Sequence, residues 1–151
     1  MSGILIFSEK QQVIRELLGK ARQVADEKET AVSALHLGES IPENLAELGT
    51  WGADAVYTVA SPLLAGLNPE TYTDALAGVI EQLNPDLVLV GATKPGLEIS
   101  ARVAARLSMG CASFCVDFDL DDDNFVTAQC MIYSGMGKNT YKIKTQPAMA
   151  T

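Results

Sequence analysis

Small, polar and charged residues follow several short apolar runs, at points where a phosphate group could bind. In the run LVLVGATKPG, two glycines allow close approach of the backbone, Thr93 can hydrogen-bond and Lys94 carries a positive charge. Parallel sheets collect ligands at the carboxyl ends of their strands, where helix N-termini present unpaired N–H groups and partial positive charge. The candidate residues for a crevice that binds an adenine nucleotide such as AMP or ATP are therefore Ser8, Gly38, Gly91, Thr93, Lys94 and Gly96.

A structural turn is the alternative interpretation of the same residues. The segment matches neither G-x-x-x-x-G-K-[ST] nor G-x-G-x-x-G, and turns of Gly, Thr and Pro occur wherever a strand leads into a helix. On spacing alone, a tight strand-to-helix connection is favoured over a phosphate site.

Hydrolytic chemistry would have to use His36, the only histidine, with Ser8 or Ser61 as the nucleophile. Neither serine lies in a G-x-S-x-G motif. A single histidine at a strand end is more often a hydrogen-bonded structural residue. We therefore expect no catalytic residues and no autonomous enzymatic activity.

Metal binding is not expected, because the three cysteines, Cys111, Cys115 and Cys130, are accompanied by only one histidine. We expect these cysteines to be buried as small apolar residues.

Glu98, Arg102 and Arg106 follow one another at intervals of four. This spacing indicates ordinary stabilisation of a helix surface, with a partner-facing ion-pair surface as the alternative.

The first 110 residues alternate between short apolar runs and segments of helical period. Strands are predicted at 4–7, 31–37, 53–59 and 86–90, and helices over 13–24, 42–48, 71–83 and 95–109. The runs are apolar almost without interruption, as in parallel strands that are covered on both faces. After Gly110 the period changes to two, so that three antiparallel strands are predicted at 114–120, 125–133 and around Tyr141 to Ile143, with a solvated turn at 121–124.

Composition and charge limit the partners. A length of 151 residues with 48% hydrophobic content predicts a single domain over residues 1–151. The net charge of −8 opposes binding to nucleic acid or to anionic membranes. The sequence contains neither an apolar stretch long enough to span a membrane nor a signal peptide, so we expect a cytoplasmic protein.

Two stretches resemble the amino-terminal domain of the electron transfer flavoprotein alpha subunit. They are GATKPGLEISARVAARLSMGCASFCVDFDLD and IYSGMGKNTYKIKTQPAMAT. The matching elements are the strand end Gly91 to Thr93, the helix core Arg102 to Leu107, Cys115 in a strand, and the turn at Tyr133 to Gly135. The resemblance implies an α/β three-layer parallel sheet of the adenine nucleotide alpha hydrolase-like, Rossmann-like kind, with an added antiparallel C-terminal β-meander.

The same resemblance implies a role in FAD-dependent electron transfer beside a beta subunit. Alpha subunits of the family hold FAD in a carboxyl-terminal domain, and their AMP belongs to the beta subunit. Because the sequence ends at Thr151, we expect a stand-alone accessory or interaction subunit without a flavin site of its own. The expected partner is a beta-like subunit or a protein that supplies the FAD domain, and a homodimer is a further expectation.

Overall fold

The computed structural model describes residues 3–123 and 125–151, so Asn124 of the predicted turn lies outside the described residues. The helices are α1 (Gln11–Lys28), α2 (Glu47–Thr50), α3 (Pro69–Leu83) and α4 (Lys94–Arg106). The strands are β1 (Gly3–Phe7), β2 (Ala31–Gly38), β3 (Ala55–Ala60), β4 (Leu87–Val90), β5 (Gly110–Ala112), β6 (Cys115–Leu120), β7 (Val126–Ile132), β8 (Gly137–Ile143) and β9 (Ala148–Ala150).

Six parallel strands form the central sheet in the order β3-β2-β1-β4-β9-β5. The four long apolar runs of the sequence form its centre and one edge. Every residue of β4 is buried, as is every residue of β1 after Gly3, because helices or the second sheet cover both faces. This arrangement confirms the predicted parallel α/β sheet.

Two cores lie on opposite faces of the central sheet. On one face, Ile4 and Ile6 of β1 pack with Leu18 of α1 and with Phe118 of β6. On the other face, Leu5 and Phe7 pack with α3 and α4. Successive residues of a strand point to opposite faces, so a single strand contributes to both cores. The result is the three-layer architecture that the sequence predicts.

The second sheet is an antiparallel meander in the order β6-β7-β8. Its inner face carries Val126, Ala128 and Ile143, which join the same core as α1. A bulge between Cys115 and Asp117 shifts the register of β6 against β7. The predicted alternation therefore fails at its start, since Phe114 and Val116 are exposed instead of sharing the buried face of Phe118 and Leu120.

Two strands and one helix differ from the predictions. β5 and β9 have three residues each, and β9 brings the chain back from the meander into the central sheet between β4 and β5. The predicted helix over 42–48 is a 3-10 turn at Glu43–Ala46 followed by the four residues of α2. Segments this short carry too few residues to show a period.

Candidate functional site

The strand order changes direction at β1, which lies between β2 on one side and β4 on the other. The chain after β1 leads to β2 through α1, whereas the chain after β4 leads to the opposite edge through α4. Connections that diverge in this way leave a crevice at the carboxyl ends of the two strands. Ser8 follows β1 and Gly91 follows β4, so the fold brings these two predicted residues together.

Close packing explains the glycines of this junction. A Cβ atom on Gly91 would lie 2.6 Å from Ser8 Oγ, and one on Gly96 would collide with the carbonyl oxygen of Gly91. The Gly91 N–H donates to the carbonyl oxygen of Phe7 at 2.9 Å. Both glycines therefore let β1, β4 and α4 approach one another, whether or not a ligand binds.

Thr93 caps α4. Its Oγ1 accepts a hydrogen bond from the Gly96 N–H at 3.0 Å, and its carbonyl oxygen accepts one from Leu97 N–H at 2.9 Å. Pro95 has no N–H to offer. Two N–H donors at this helix start are thus already bonded, and a third is missing. The exposed side chain of Lys94 is the cation placed beside the cap.

A carboxylate also lies in the crevice. Ser8 Oγ donates to Glu9 Oε2 at 3.3 Å and accepts from the Lys10 N–H at 3.2 Å. The other oxygen, Glu9 Oε1, is buried and has no hydrogen-bond partner among the described residues. Burial, and then the charge of Glu9, raise the pKa of Tyr72. A buried acceptor of this kind suits a hydroxyl or amino donor.

His36 and Gly38 act together within their own turn. His36 Nε2 lies 3.0 Å from the carbonyl oxygen of Ser40, and a Cβ atom on Gly38 would lie 2.9 Å from the same nitrogen. Gly38 thereby makes room for the imidazole. Ser61 Oγ accepts a hydrogen bond from the Leu63 N–H, and Ser8 is bonded to its neighbours. His36, Ser8 and Ser61 thus each bond to residues near them in the chain, and none of these hydrogen bonds joins the histidine to a serine.

The ion pairs expected along α4 from the spacing of Glu98, Arg102 and Arg106 are only partly formed. Arg102 Nη2 lies 2.9 Å from Glu98 Oε1, which is the ordinary surface pair expected at this spacing. Arg106 pairs instead with Asp74 of α3 and so links the two helices. Among the described residues, no group of three or more His, Cys, Asp or Glu side chains is arranged to hold a metal.

Of the cysteines, Cys130 is buried as expected, but Cys115 is only half-buried and Cys111 is exposed. The expectation of three buried thiols is therefore wrong. Cys111 belongs to β5, a strand that the apolar pattern did not reveal, and it lies at the edge of the central sheet. There it lines an open groove of about 540 Å³ beside β8.

An exposed apolar patch on the meander was missed by the sequence analysis. It consists of Phe114, Met131, Tyr133 and Met136, which are 56%, 36%, 78% and 88% exposed. The Met131 N–H donates to the carbonyl oxygen of Phe114, and the Met136 N–H donates to that of Tyr133. We call these four residues the aromatic-methionine patch. The feature of the sequence that could have indicated this patch is the occurrence of Tyr133 and Met136 in a glycine-rich turn.

Backbone strain presents the two aromatic side chains of the patch. Phe114 has φ 56° and Tyr133 has φ 49°, and Ser134 and Gly135 continue the left-handed run. Bulky residues rarely adopt this region, at a cost of about 1–2 kcal/mol each. Strain of this kind is concentrated at functional surfaces. The patch is consequently a candidate interface, separate from the crevice.

Comparisons with known proteins agree with the fold. The model of the electron transfer flavoprotein domain family matches residues 5–151. The electron transfer flavoprotein subunit alpha of Thermoanaerobacterium thermosaccharolyticum is 32% identical over 98% of this chain and 47% of its own length. The protein FixB of Azorhizobium caulinodans is 35% identical over 90% of this chain and 38% of its own length.

A third relative is the acryloyl-CoA reductase electron transfer subunit beta of Anaerotignum propionicum, which is 33% identical over 74% of this chain and 30% of its own length. The chain spans less than half the length of each of these relatives. None of the described helices is long and apolar enough to cross a membrane. The family match confirms the resemblance that the sequence motifs indicate: the chain belongs to the electron transfer flavoprotein domain family and is related to its alpha subunits and FixB proteins.

Proposed function

We propose that this domain is an interaction subunit of a FAD-dependent electron-transfer complex and that it binds its partner through the aromatic-methionine patch. The observation that carries the proposal is the exposure of Tyr133 and Met136 on a strained turn. Aromatic residues and methionine are enriched in protein interfaces. The partner is a beta-like electron transfer flavoprotein subunit or a protein that supplies the FAD domain.

The names of the relatives support a role in an assembly, because they describe an alpha subunit and an electron transfer subunit. Redox chemistry in the complex then belongs to a flavin held outside residues 3–151. The domain itself contributes binding surface, not catalysis.

The direct test is calorimetric titration of the domain with a beta-like subunit and with a separate flavin-binding domain of the family. We expect Tyr133→Ser with Met136→Ser to weaken binding at least about 10-fold, as interface centres do. The control is Ile41→Ser with Leu63→Ser, which removes two exposed apolar side chains outside the patch.

Equal affinity of the patch variant and the wild type would overturn the proposed interface. Weakening by the control pair alone would move the interface to the part of the surface formed by Ile41 and Leu63. Light scattering on the domain alone tests self-association, and a homodimer that the patch variant abolishes would make a second copy the occupant of the patch. A flavin absorption band that survives gel filtration of this domain alone would contradict the absence of a flavin site.

A second candidate function, binding of an adenine nucleotide in the crevice, is favoured by the unpaired oxygen Glu9 Oε1. Ribose hydroxyls or the adenine amino group could donate to this oxygen, and Lys94 could pair with a phosphate at the rim. In this arrangement the binding residues are those predicted from sequence, namely Ser8, Gly38, Gly91, Thr93, Lys94 and Gly96, joined by Glu9.

Thermal unfolding with AMP, ATP and adenosine separates the two candidates. A ligand that binds only the folded state raises the melting temperature. The nucleotide candidate predicts a rise at millimolar AMP that Glu9→Gln reduces and Glu39→Gln, an exposed residue after β2, leaves intact. An unchanged melting temperature with all three ligands would remove this candidate and leave the interaction role untouched.

A further inference from the structure

Two of the three cysteines face each other across the meander. Cys115 of β6 and Cys130 of β7 are register partners in the antiparallel pair, and their Sγ atoms lie 3.1 Å apart. Directly opposed residues of antiparallel strands have Cα atoms about 4.5–5.5 Å apart. That separation is within the range of about 4.4–6.8 Å that a disulfide bridges. The backbone is therefore already placed for a covalent bond.

The bulge in β6 brings the two sulfurs together. It lies between Cys115 and Asp117 and turns Cys115 toward Cys130, while Val116 is left exposed. Cys115 Sγ also contacts the carbonyl oxygen of Ala112 at 3.4 Å. A regular alternation would have placed Cys115 on the face opposite to Phe118. The bulge in β6 is therefore the reason that the sulfurs of Cys115 and Cys130 lie close together.

Both cysteines line grooves at the surface. Cys130 lines the open groove of about 540 Å³ beside β8, together with Cys111. Cys115 lines a smaller groove of about 150 Å³ between α1 and β6. Cys115 is half-buried and Cys130 buried, so we expect a disulfide reagent to react first at Cys115.

We propose that Cys115 and Cys130 form a redox-sensitive dithiol that a small disulfide oxidises to an intramolecular disulfide. One protein thiolate attacks the reagent disulfide, which forms a mixed disulfide and releases one reagent thiol. The second protein sulfur then attacks the first, which forms the Cys115–Cys130 bond and releases the other reagent thiol. The protein loses two electrons and two protons, and the reagent disulfide is reduced to two thiols.

The surroundings make this reaction slow at neutral pH. Burial, and then the neighbouring Cys130, raise the pKa of Cys115 to about 12. The attacking thiolate is therefore scarce at pH 7 and becomes more abundant in alkaline solution. The charged groups that line the two grooves are Glu16, Lys20, Asp117, Lys142 and Lys144. A test at pH 8.5 raises the thiolate fraction above its value at pH 7 and so speeds the exchange.

The bond would fasten β6 to β7 beside the aromatic-methionine patch. Phe114 directly precedes Cys115, and Met131 directly follows Cys130. The closed loop runs from residue 115 to residue 130, and loops of about 15 residues are stabilised appreciably by a disulfide. For a domain of this size we expect oxidation to raise the melting temperature by about 5–10 °C.

The test is oxidation of the full chain with glutathione disulfide at pH 8.5, followed by thiol titration in denaturant and peptide mapping. The wild type should fall from three thiols to one, or to none where Cys111 also carries glutathione. Mapping should show a Cys115–Cys130 linkage that dithiothreitol removes. Cys111→Ser is the matched control, and it should form the same linkage and show the same rise in melting temperature.

Two further variants test whether both Cys115 and Cys130 are needed for the linkage. Cys115→Ser changes the half-buried partner and Cys130→Ala the buried one, and either should abolish the linkage and the rise in melting temperature. Glutathione attached at Cys111 with both other thiols free would overturn the proposal. A Cys111–Cys130 linkage in place of Cys115–Cys130 would overturn it equally.

Discussion

At the scale of single residues, the turn at Tyr133 combines a strained backbone with an exposed aromatic side chain. Tyr133 is largely exposed and left-handed, and three consecutive residues of the turn share that conformation. A bulky side chain that gains little burial has no structural reason to occupy such a position. The strain supports the proposed interface, because strained residues cluster at functional sites.

Replacing Tyr133 by glycine should separate stability from binding. We expect Tyr133→Gly to raise the free energy of unfolding by about 0.5–1 kcal/mol, since relief of left-handed strain exceeds the entropy that glycine adds to the unfolded chain. The same variant should weaken partner binding. Met136→Gly, at an ordinary φ of −78°, is the control and should lower stability. Urea denaturation gives both values, and a destabilised Tyr133→Gly would show that the turn is not strained.

The glycines of the crevice test whether packing or ligand binding selects them. Gly96→Ala should lower the free energy of unfolding by about 1–3 kcal/mol, because its Cβ would collide with the backbone of Gly91. Gly78→Ala in α3 meets open space and should raise stability by about 0.5–1 kcal/mol. Thermal unfolding of both variants measures the contrast. If Gly96→Ala kept wild-type stability, the packing explanation would fail.

At the scale of elements, β9 connects the edge strand β5 to the rest of the central sheet. Its middle residue, Met149, is fully buried between Val88 of β4 and Cys111 of β5. The segment after the meander thus returns to complete the sheet. Without it, β5 would have no neighbour through which to join β4.

Truncating Met149 measures this dependence. We expect Met149→Ala to lower the free energy of unfolding by about 2–5 kcal/mol, as large-to-small changes in a core do. Met136→Ala, the exposed counterpart, should stay within about 0.5 kcal/mol of the wild type. Chemical denaturation of both variants provides the comparison. Similar values for the two would mean that β9 packs loosely.

Prediction from sequence worked for long elements and failed for short ones. The apolar runs of β1, β2 and β4 and the helical period of α1, α3 and α4 located the sheet and its layers. β5 and β9 consist of three small or flexible residues each, which carry no period. Because of the bulge after Cys115, Phe114 and Val116 are exposed and do not share the buried face of Phe118. The alternation of apolar and polar residues in the sequence does not reveal this bulge.

The candidate sites show the same division. The sequence analysis correctly predicted that Ser8, Gly91 and Thr93 follow the ends of strands. It could do so because Gly and Thr are common in the turns that connect a strand to a helix. Whether these residues bind a nucleotide stays a prediction. The aromatic-methionine patch depends on tertiary exposure and on left-handed backbone at Phe114 and Tyr133, and neither can be read from composition.

At the scale of the whole molecule, both sheets share one core. Phe118 and Val126 of the meander belong to the same cluster as Ile4 of the central sheet and Leu18 of α1. We propose on this basis that residues 1–151 form one domain. It should unfold in a single calorimetric transition, and two resolved transitions would show that the meander is a separate unit.

The acidic character of the chain should make its stability sensitive to low pH. A hydrogen bond from the Val32 N–H, and then Arg22, lower the pKa of Asp54. Hydrogen bonds with Lys20 and Lys142 lower the pKa of Asp117 and Asp121, respectively. Groups with lowered folded-state pKa stabilise above the unfolded value near pH 4 and lose that contribution as the pH falls through the folded value.

The melting temperature should accordingly stay level from pH 7 to about pH 5 and fall below about pH 4. Asp54→Asn should have a lower melting temperature at pH 7 and a shallower fall in acid, because one of the responsible carboxylates is gone. Thermal unfolding across pH 3–7 tests both expectations. A variant curve parallel to that of the wild type would exclude Asp54 as a source of the acid sensitivity.

The central claim is that this domain binds an electron-transfer partner through its meander, and hydrogen–deuterium exchange tests it most directly. The domain is measured alone and with a saturating beta-like subunit or flavin-binding domain. The account predicts slowed exchange at residues 114–116 and 131–137, with little change at 8–10 and 91–96. Protection confined to the crevice segments, or none with either partner, would contradict it.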